Sequence, residues 1–336
     1  MILNAFSVLA AFAALLRIVL GLIIAGAGLG ALRRRSGDGA AAEERGEERY
    51  FLLASLGMAL VGLGIASWPL LYLVLQSYVP EWPGIMCIEG VTRIGNGSVG
   101  AASSLPPLLG VLQVSKPLVV FACGVWIVLH VAGRRARGAH AGRALAALLV
   151  CGALATADAV AELAYLGIPK QETTLASGCC SVGSQPASHT GPLANGSTGL
   201  LSAAFWSVGV ALVATLASGE RRLRRMAAGG RWLAMALGLA IASVPLGVAY
   251  LGAVAAPAFL RLPHHRCAYC LIAGAPESLL LVALYASGAF AVGWAAVAAW
   301  LAPQGSRRPL ALPLLRWARF AYVGALLMVG VRMAIP

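Results

Sequence analysis

Cysteine is the residue in this chain with the most chemistry to offer, and its seven copies are unevenly placed. Cys267 and Cys270 form a C-x-x-C preceded by His264, His265 and Arg266. At the start of a helix, such a pair sets its first sulfur beside unsatisfied backbone N–H groups and the positive end of the helix dipole. With the added positive charge upstream, Cys267 is expected to convert readily to the nucleophilic thiolate. Cys179 and Cys180 are adjacent in SGCCSVG, and Cys87 lies in GIMCIEG. Thiolate–disulfide exchange can pass two electrons along a series of this kind. A ring closed between adjacent cysteines is strained, because an ordinary bridge separates the alpha carbons by more than about 4.4 Å. Cys179 and Cys180 are therefore expected to exchange with different partners. A covalent c-type haem is excluded, since Leu271 stands where its histidine would follow the second cysteine.

The elements that must position these thiols are membrane helices. Of 336 residues, 60% are hydrophobic and only 11% charged, and mean hydropathy is +0.84. A soluble domain carries about one quarter charged residues. The net charge of +13 does not indicate nucleic acid, because the 23 arginines and two lysines cluster between long apolar runs. Crossing a bilayer takes about 20 apolar residues, and eight stretches qualify, near Asn4–Leu32, Tyr50–Val79, Lys116–Gly133, Ala144–Gly167, Thr198–Ser218, Trp232–Ala256, Cys267–Ala302 and Trp317–Ile335. Their continuous apolar character predicts an all-α, polytopic helix bundle rather than a barrel. The loops after spans one, three, five and seven carry 18 basic residues, against five in the others (Arg93, Lys116, Lys170, Arg261 and Arg266). By the positive-inside rule both termini and the Cys87, Cys179, Cys180, Cys267 and Cys270 positions face outward. The first apolar run has no basic residue before it and RRR directly after, and is read as a retained helix rather than a cleaved signal. The segment Ser36–Arg49 reads as a solvated linker. Asn96 and Asn195 match the glycosylation acceptor pattern, which has meaning only in a eukaryotic secretory pathway.

Inside the spans, Cys123 and Cys151 read as small apolar packing residues. Glu277 follows Cys270 by two helical turns, so a continuous helix would set it on nearly the same face, about 10 Å deeper. There it would either relay protons to a quinone or serve as a paired structural acid. Asp158 and Glu162 share a face of span four, with Arg17 and Arg332 as candidate ion-pair partners.

The stretch CAYCLIAGAPESLLLVAL resembles the last core helix of the vitamin K epoxide reductase family. That family's four-helix core runs through a helix, a loop with shuttle cysteines, two further helices, and a final helix opened by C-x-x-C. Spans four to seven match that order. The resemblance implies a division into residues 1–143, an N-terminal three-helix membrane region with the Cys87 loop; 144–302, the redox core; and 303–336, a terminal span. It also implies thiol oxidation coupled to reduction of a quinone, ubiquinone or menaquinone. Cys270 would be the quinone-side sulfur, Cys267 the one that exchanges with the loop, and Cys179 or Cys180 the acceptor of electrons from a periplasmic thioredoxin-like thiol protein. The implied setting is a bacterial inner membrane, with lipid as the other partner and no nucleic acid.

The chain departs from that pattern where the loop cysteines are adjacent rather than spaced, and no thioredoxin-like domain is fused. Two other readings compete. His264, His265, Cys267 and Cys270 offer four nitrogen or sulfur donors suited to Zn, Cu(I) or Hg-like ions, and adjacent cysteines at a membrane helix resemble the vicinal pair of mercuric-ion transporters. Alternatively, the chain is a noncatalytic subunit of a membrane complex, with structural disulfides. Under the redox reading Cys87 supplies the spaced partner that the adjacent pair lacks. Cys87→Ser should then change the disulfide pairing in non-reducing peptide maps; pairing and activity that survive the substitution would remove Cys87 from the relay.

Overall fold

The computed structural model describes residues 4–34, 40–82, 85, 87–95, 100–135, 141–170, 192–224, 230–262 and 267–335. Among them there is no strand. The helices are α1 (Ala5–Arg34), α2 (Ala40–Tyr78), α3 (Ile88–Thr92), α4 (Leu105–Arg135), α5 (Ala141–Gly167), α6 (Pro192–Arg224), α7 (Gly230–Tyr250), α8 (Ala256–Leu260), α9 (Ala268–Gly274), α10 (Glu277–Leu301) and α11 (Gln304–Ala334). Eight segments of the described residues are long and apolar enough to cross a membrane. Large apolar side chains such as Phe12, Phe51, Ile241, Val248 and Phe320 are exposed along them, as a lipid solvent requires.

The chain packs as two compact units, 1–179 and 180–336. In the first, α1, α2, α4 and α5 form a ring in which each helix abuts its neighbour in sequence and α5 closes back on α1. In the second, α6, α7, α10 and α11 form a ring of the same order. Span four thus packs with spans one and three, and span eight with spans five and seven.

Both units also share local sequence. MALVGLGIASWPL on α2 (58–70) corresponds to MALGLAIASVPL on α7 (235–246), and FACG on α4 (121–124) to FAVG on α10 (290–293). Ser67 and Ser243, each two residues before a helix-interior proline, donate to the carbonyls of Gly64 and Ala240, both at 2.8 Å. In each unit a connection with short helices joins the second and third long helices, and a cysteine, Cys87 or Cys267, caps the start of one of them.

Helical periodicity explains the first ring. Leu105, Leu109, Leu112, Lys116, Val119, Cys123 and Trp126 recur every three or four residues and form the buried stripe of α4. Leu145, Leu148, Cys151, Ala155, Asp158, Glu162 and Tyr165 do the same on α5. The stripe of α1 includes Gly21, where a Cβ would meet Thr156 Oγ1 at 2.0 Å and the Gly152 carbonyl at 3.0 Å. Only glycine lets α1 and α5 approach so closely.

Four charges are buried in these stripes. Arg17 bonds both Asp158 and Glu162. Lys116 Nζ lies 2.9 Å from Asp158 Oδ2 and 2.6 Å from Glu162 Oε2, and Ser115 Oγ donates to Asp158. Two cations and two carboxylates, with side chains at most 2% exposed, make a neutral tetrad joining α1, α4 and α5. The expected Arg17 pairing is therefore present, but Arg332 belongs to the other unit and pairs with Glu277. Lys116 is no loop residue. Span three begins near Ala102, which sets Lys116 near the middle of a 33-residue stretch. Removing one partner of a buried ion pair typically costs about 3–5 kcal/mol, because the other charge is left uncompensated. Arg17→Met should therefore lower stability by that order in thermal unfolding of the detergent-solubilised protein; a loss below about 1 kcal/mol would show that the tetrad does not hold the unit together.

Candidate functional site

The C-x-x-C is positioned by a chain reversal at one end of the second unit. Here α7 runs through a single π-helical turn, Leu251–Ala255, into α8. Arg261 ends α8 in the left-handed conformation (φ 54°), with its N–H on the Ala258 carbonyl at 3.4 Å and the Leu262 N–H on the Pro257 carbonyl at 3.1 Å. The chain then returns as α9, with Cys267 in extended conformation at its N-cap. The Cys270 N–H donates to Cys267 Sγ at 3.4 Å, and the Leu271 N–H to the Cys267 carbonyl at 3.1 Å. Cys267 is thus a capping acceptor at the helix start, as its spacing predicts. The two sulfurs lie within 4.8 Å of each other. Cys267 is buried and Cys270 half-buried.

Span seven is not one helix from Cys267 onward. Ala275 leaves helical geometry (φ −137°, ψ 80°), Pro276 follows, and α10 starts afresh at Glu277. Ser278 bridges the break, its hydroxyl donating to the Leu271 carbonyl at 3.3 Å and its N–H to the Ala275 carbonyl at 2.9 Å. The two-turn relation between Cys270 and Glu277 therefore does not hold, because a proline cannot continue the ladder of hydrogen bonds. Glu277 instead sits in the first turn of α10, about half exposed, with its Oε1 3.3 Å from Arg332 Nε. Arg332 Nη2 also donates to the Phe259 carbonyl at 3.3 Å, and its guanidinium lies 5.7 Å from the Phe259 ring. One arginine on α11 thereby ties the end of α8 to the start of α10. Gly274 packs closely where α8 and α9 meet: a Cβ there would lie 2.5 Å from Leu260 Cδ2 and would make that side chain move.

Beneath α9 the bundle is filled with rings. Phe205 stacks on Tyr250 with centroids 4.0 Å apart. Tyr285 donates to the Ser243 carbonyl at 2.8 Å and meets Tyr322 edge-on at 5.1 Å. Leu271 and Phe259 close the top of this core. Ala268, Ala273 and Gly274 on α9, and Leu279 and Leu280 in the first turn of α10, are exposed.

Of the remaining expected site residues, Cys87 alone is among the described residues. Cys87 is buried at the N-cap of α3 in the first unit, where the Gly90 N–H bonds its carbonyl at 3.0 Å. The position three residues on is Gly90, where the second unit has Cys270. Cys179, Cys180, His264 and His265 lie outside the described residues. Two features escape the sequence reading: Cys123 and Cys151, read as separate packing residues, have sulfurs 2.9 Å apart, and Lys116 belongs to the charged tetrad. The signal for Lys116 is the three-and-four spacing of the α4 stripe, which runs unbroken once span three is extended upstream through Leu105.

No protein-family profile matches the chain, and neither does any curated protein or solved structure.

A second polar cluster occupies the Cys87 end of the first unit. Lys170 Nζ lies 4.7 Å from the centre of the Tyr165 ring and 5.2 Å from that of Tyr78, and donates to the Tyr165 carbonyl at 3.0 Å. Tyr78 in turn meets Ser7, their hydroxyl oxygens 3.1 Å apart. Burial against these rings lowers the Lys170 amine from 10.5 to about 8. Between those values the folded protein binds fewer protons here than the unfolded chain. Stability should rise with pH across that window, and the penalty stands in full below it. Acylation of Lys170, followed by mass spectrometry from neutral to alkaline pH, should be half-maximal near pH 8; a midpoint at the ordinary lysine value would show the amine to be solvated.

Proposed function

We propose that the protein is a membrane thiol-disulfide oxidoreductase in which Cys267 and Cys270 alternate between dithiol and disulfide. The carrying observation is their geometry: two sulfurs within 4.8 Å, at a helix start, with one buried on a backbone N–H and the other half-exposed. A short rotation of either side chain brings such sulfurs into bonding range. The resemblance to the vitamin K epoxide reductase family suggests a membrane quinone as oxidant. When bound, a quinone supplies a two-electron sink, becoming quinol as it takes the two electrons and two protons of the dithiol. Exposed Leu279 and Leu280, in the first turn of the helix that follows the cysteine turn, would suit an apolar ring arriving from the lipid.

In this reading Cys270, the more accessible sulfur, faces the quinone, and Cys267 exchanges with Cys179 or Cys180. Those loop cysteines take electrons from a thioredoxin-like thiol protein on the outer side expected from the positive-inside rule, read here as a bacterial periplasm. Glu277, held by Arg332 at the start of α10, is the nearest carboxylate in sequence to receive a thiol proton. The other reading that geometry favours is capture of a soft ion by the same two sulfurs.

Mass-shift alkylation in purified membranes separates these possibilities. After mild reduction, added quinone should restore the Cys267–Cys270 disulfide, and Cys270→Ser should abolish that response. Thiols that ignore quinone but are protected by Zn, Cu(I) or Hg ions would replace the redox reading with metal binding. Stable oxidation insensitive to both would leave a structural bridge.

A further inference from the structure

Cys123 and Cys151 have no part in the proposed reaction, yet their sulfurs lie 2.9 Å apart between α4 and α5. Both are at most 1% exposed. Their surroundings are Val119, Trp126, Leu148 and Ala155, with no charge among them. The bond length of a disulfide is about 2.05 Å, so closure needs the sulfurs to approach by less than about 1 Å. The helices are already held in register here. Lys116 precedes Cys123 by two helical turns on α4, and Asp158 follows Cys151 by two turns on α5, so in this antiparallel pair the thiol contact and the ion tetrad are two levels of one seam. The second unit offers an internal comparison: its FAVG segment carries Val292 where FACG carries Cys123. A hydrophobic residue satisfies packing at that level, so packing alone does not call for sulfur.

We infer that Cys123 and Cys151 are a peroxide-oxidised dithiol that forms a disulfide within the membrane-spanning part of the first unit. Glutathione and thioredoxin-like proteins are charged and bulky, and the seam gives them no approach. Hydrogen peroxide is small and uncharged. One sulfur attacks a peroxide oxygen, forming an S–O bond as the O–O bond breaks and one water leaves. The second sulfur then displaces that oxygen as another water, forming the S–S bond. The two thiols lose two electrons to the peroxide, and their protons leave in the two waters. The bridge would clamp the seam that the ion pairs already join. This inference is independent of the chemistry assigned to Cys267 and Cys270.

The test uses the full-length chain with Cys87, Cys179, Cys180, Cys267 and Cys270 replaced by Ser, reduced and then titrated with hydrogen peroxide in detergent. After unfolding in SDS, both remaining thiols should be lost to alkylation together, and a Cys123–Cys151 peptide cross-link should appear. The bridge should resist added glutathione in the folded protein and yield to it after unfolding. Peptide mapping of the peroxide-treated wild-type chain gives the same readout should the five-fold variant fail to fold. Thiols that stay alkylatable, or that become sulfinic acids with no cross-link, would overturn the inference.

Discussion

Charge neutrality in a medium of low dielectric constant governs the first unit. Two carboxylates one helical turn apart within a span cannot stay ionised unless cations meet them there. Arg17 comes from α1 and Lys116 from α4, each contacting both acids. That requirement makes α5 the neighbour of both α1 and α4, and it aligns the buried stripes along their length. The close passage at Gly21 and the sulfur contact at Cys123 are then consequences of a register that the ions hold.

The second unit follows the same ring order without that device. Its helices are joined by the Tyr285–Ser243 hydrogen bond, the Tyr285–Tyr322 contact and the Phe205–Tyr250 stack. Its buried acid, Glu220, lies near the arginine-rich end and meets Arg316 at 3.0 Å and Arg319 at 3.1 Å. One plan thus tolerates two kinds of glue, because ring order depends on which faces are complementary rather than on what makes them so. The cysteine turn makes the same point locally. Both units cap a short helix with cysteine, but only the second adds Cys270 one turn on.

Much of this was legible in the residues. Span number follows from the length of each apolar run, and capping by Cys267 from the position of C-x-x-C after a polar stretch. Arg17, Asp158 and Glu162 were visible as charges where charge is costly. Lys116 was not, because a lysine beside Pro117 looks like the edge of a span; the proline is carried inside α4, and the apolar stripe continues on both sides of it. The opposite error occurs at Ala275–Pro276, where a run that looks continuous is broken and Glu277 becomes the first residue of α10. Proline's effect depends on whether neighbouring groups can satisfy the freed carbonyl, which a linear sequence does not display. The contact between Cys123 and Cys151 depends on helix pairing and becomes readable only once α4 and α5 are placed in register.

Because the tetrad carries no net charge, an electric field across the bilayer exerts no net pull on it. A single elementary charge carried across the whole membrane exchanges about 2.3 kcal/mol with each 100 mV of potential. Had α4 brought no lysine, one arginine would face two acids, and the second carboxyl would have to keep its proton to remain in the apolar layer. With Lys116 in place both acids are matched by cations, and the seam holds no net charge through which membrane voltage could act on it.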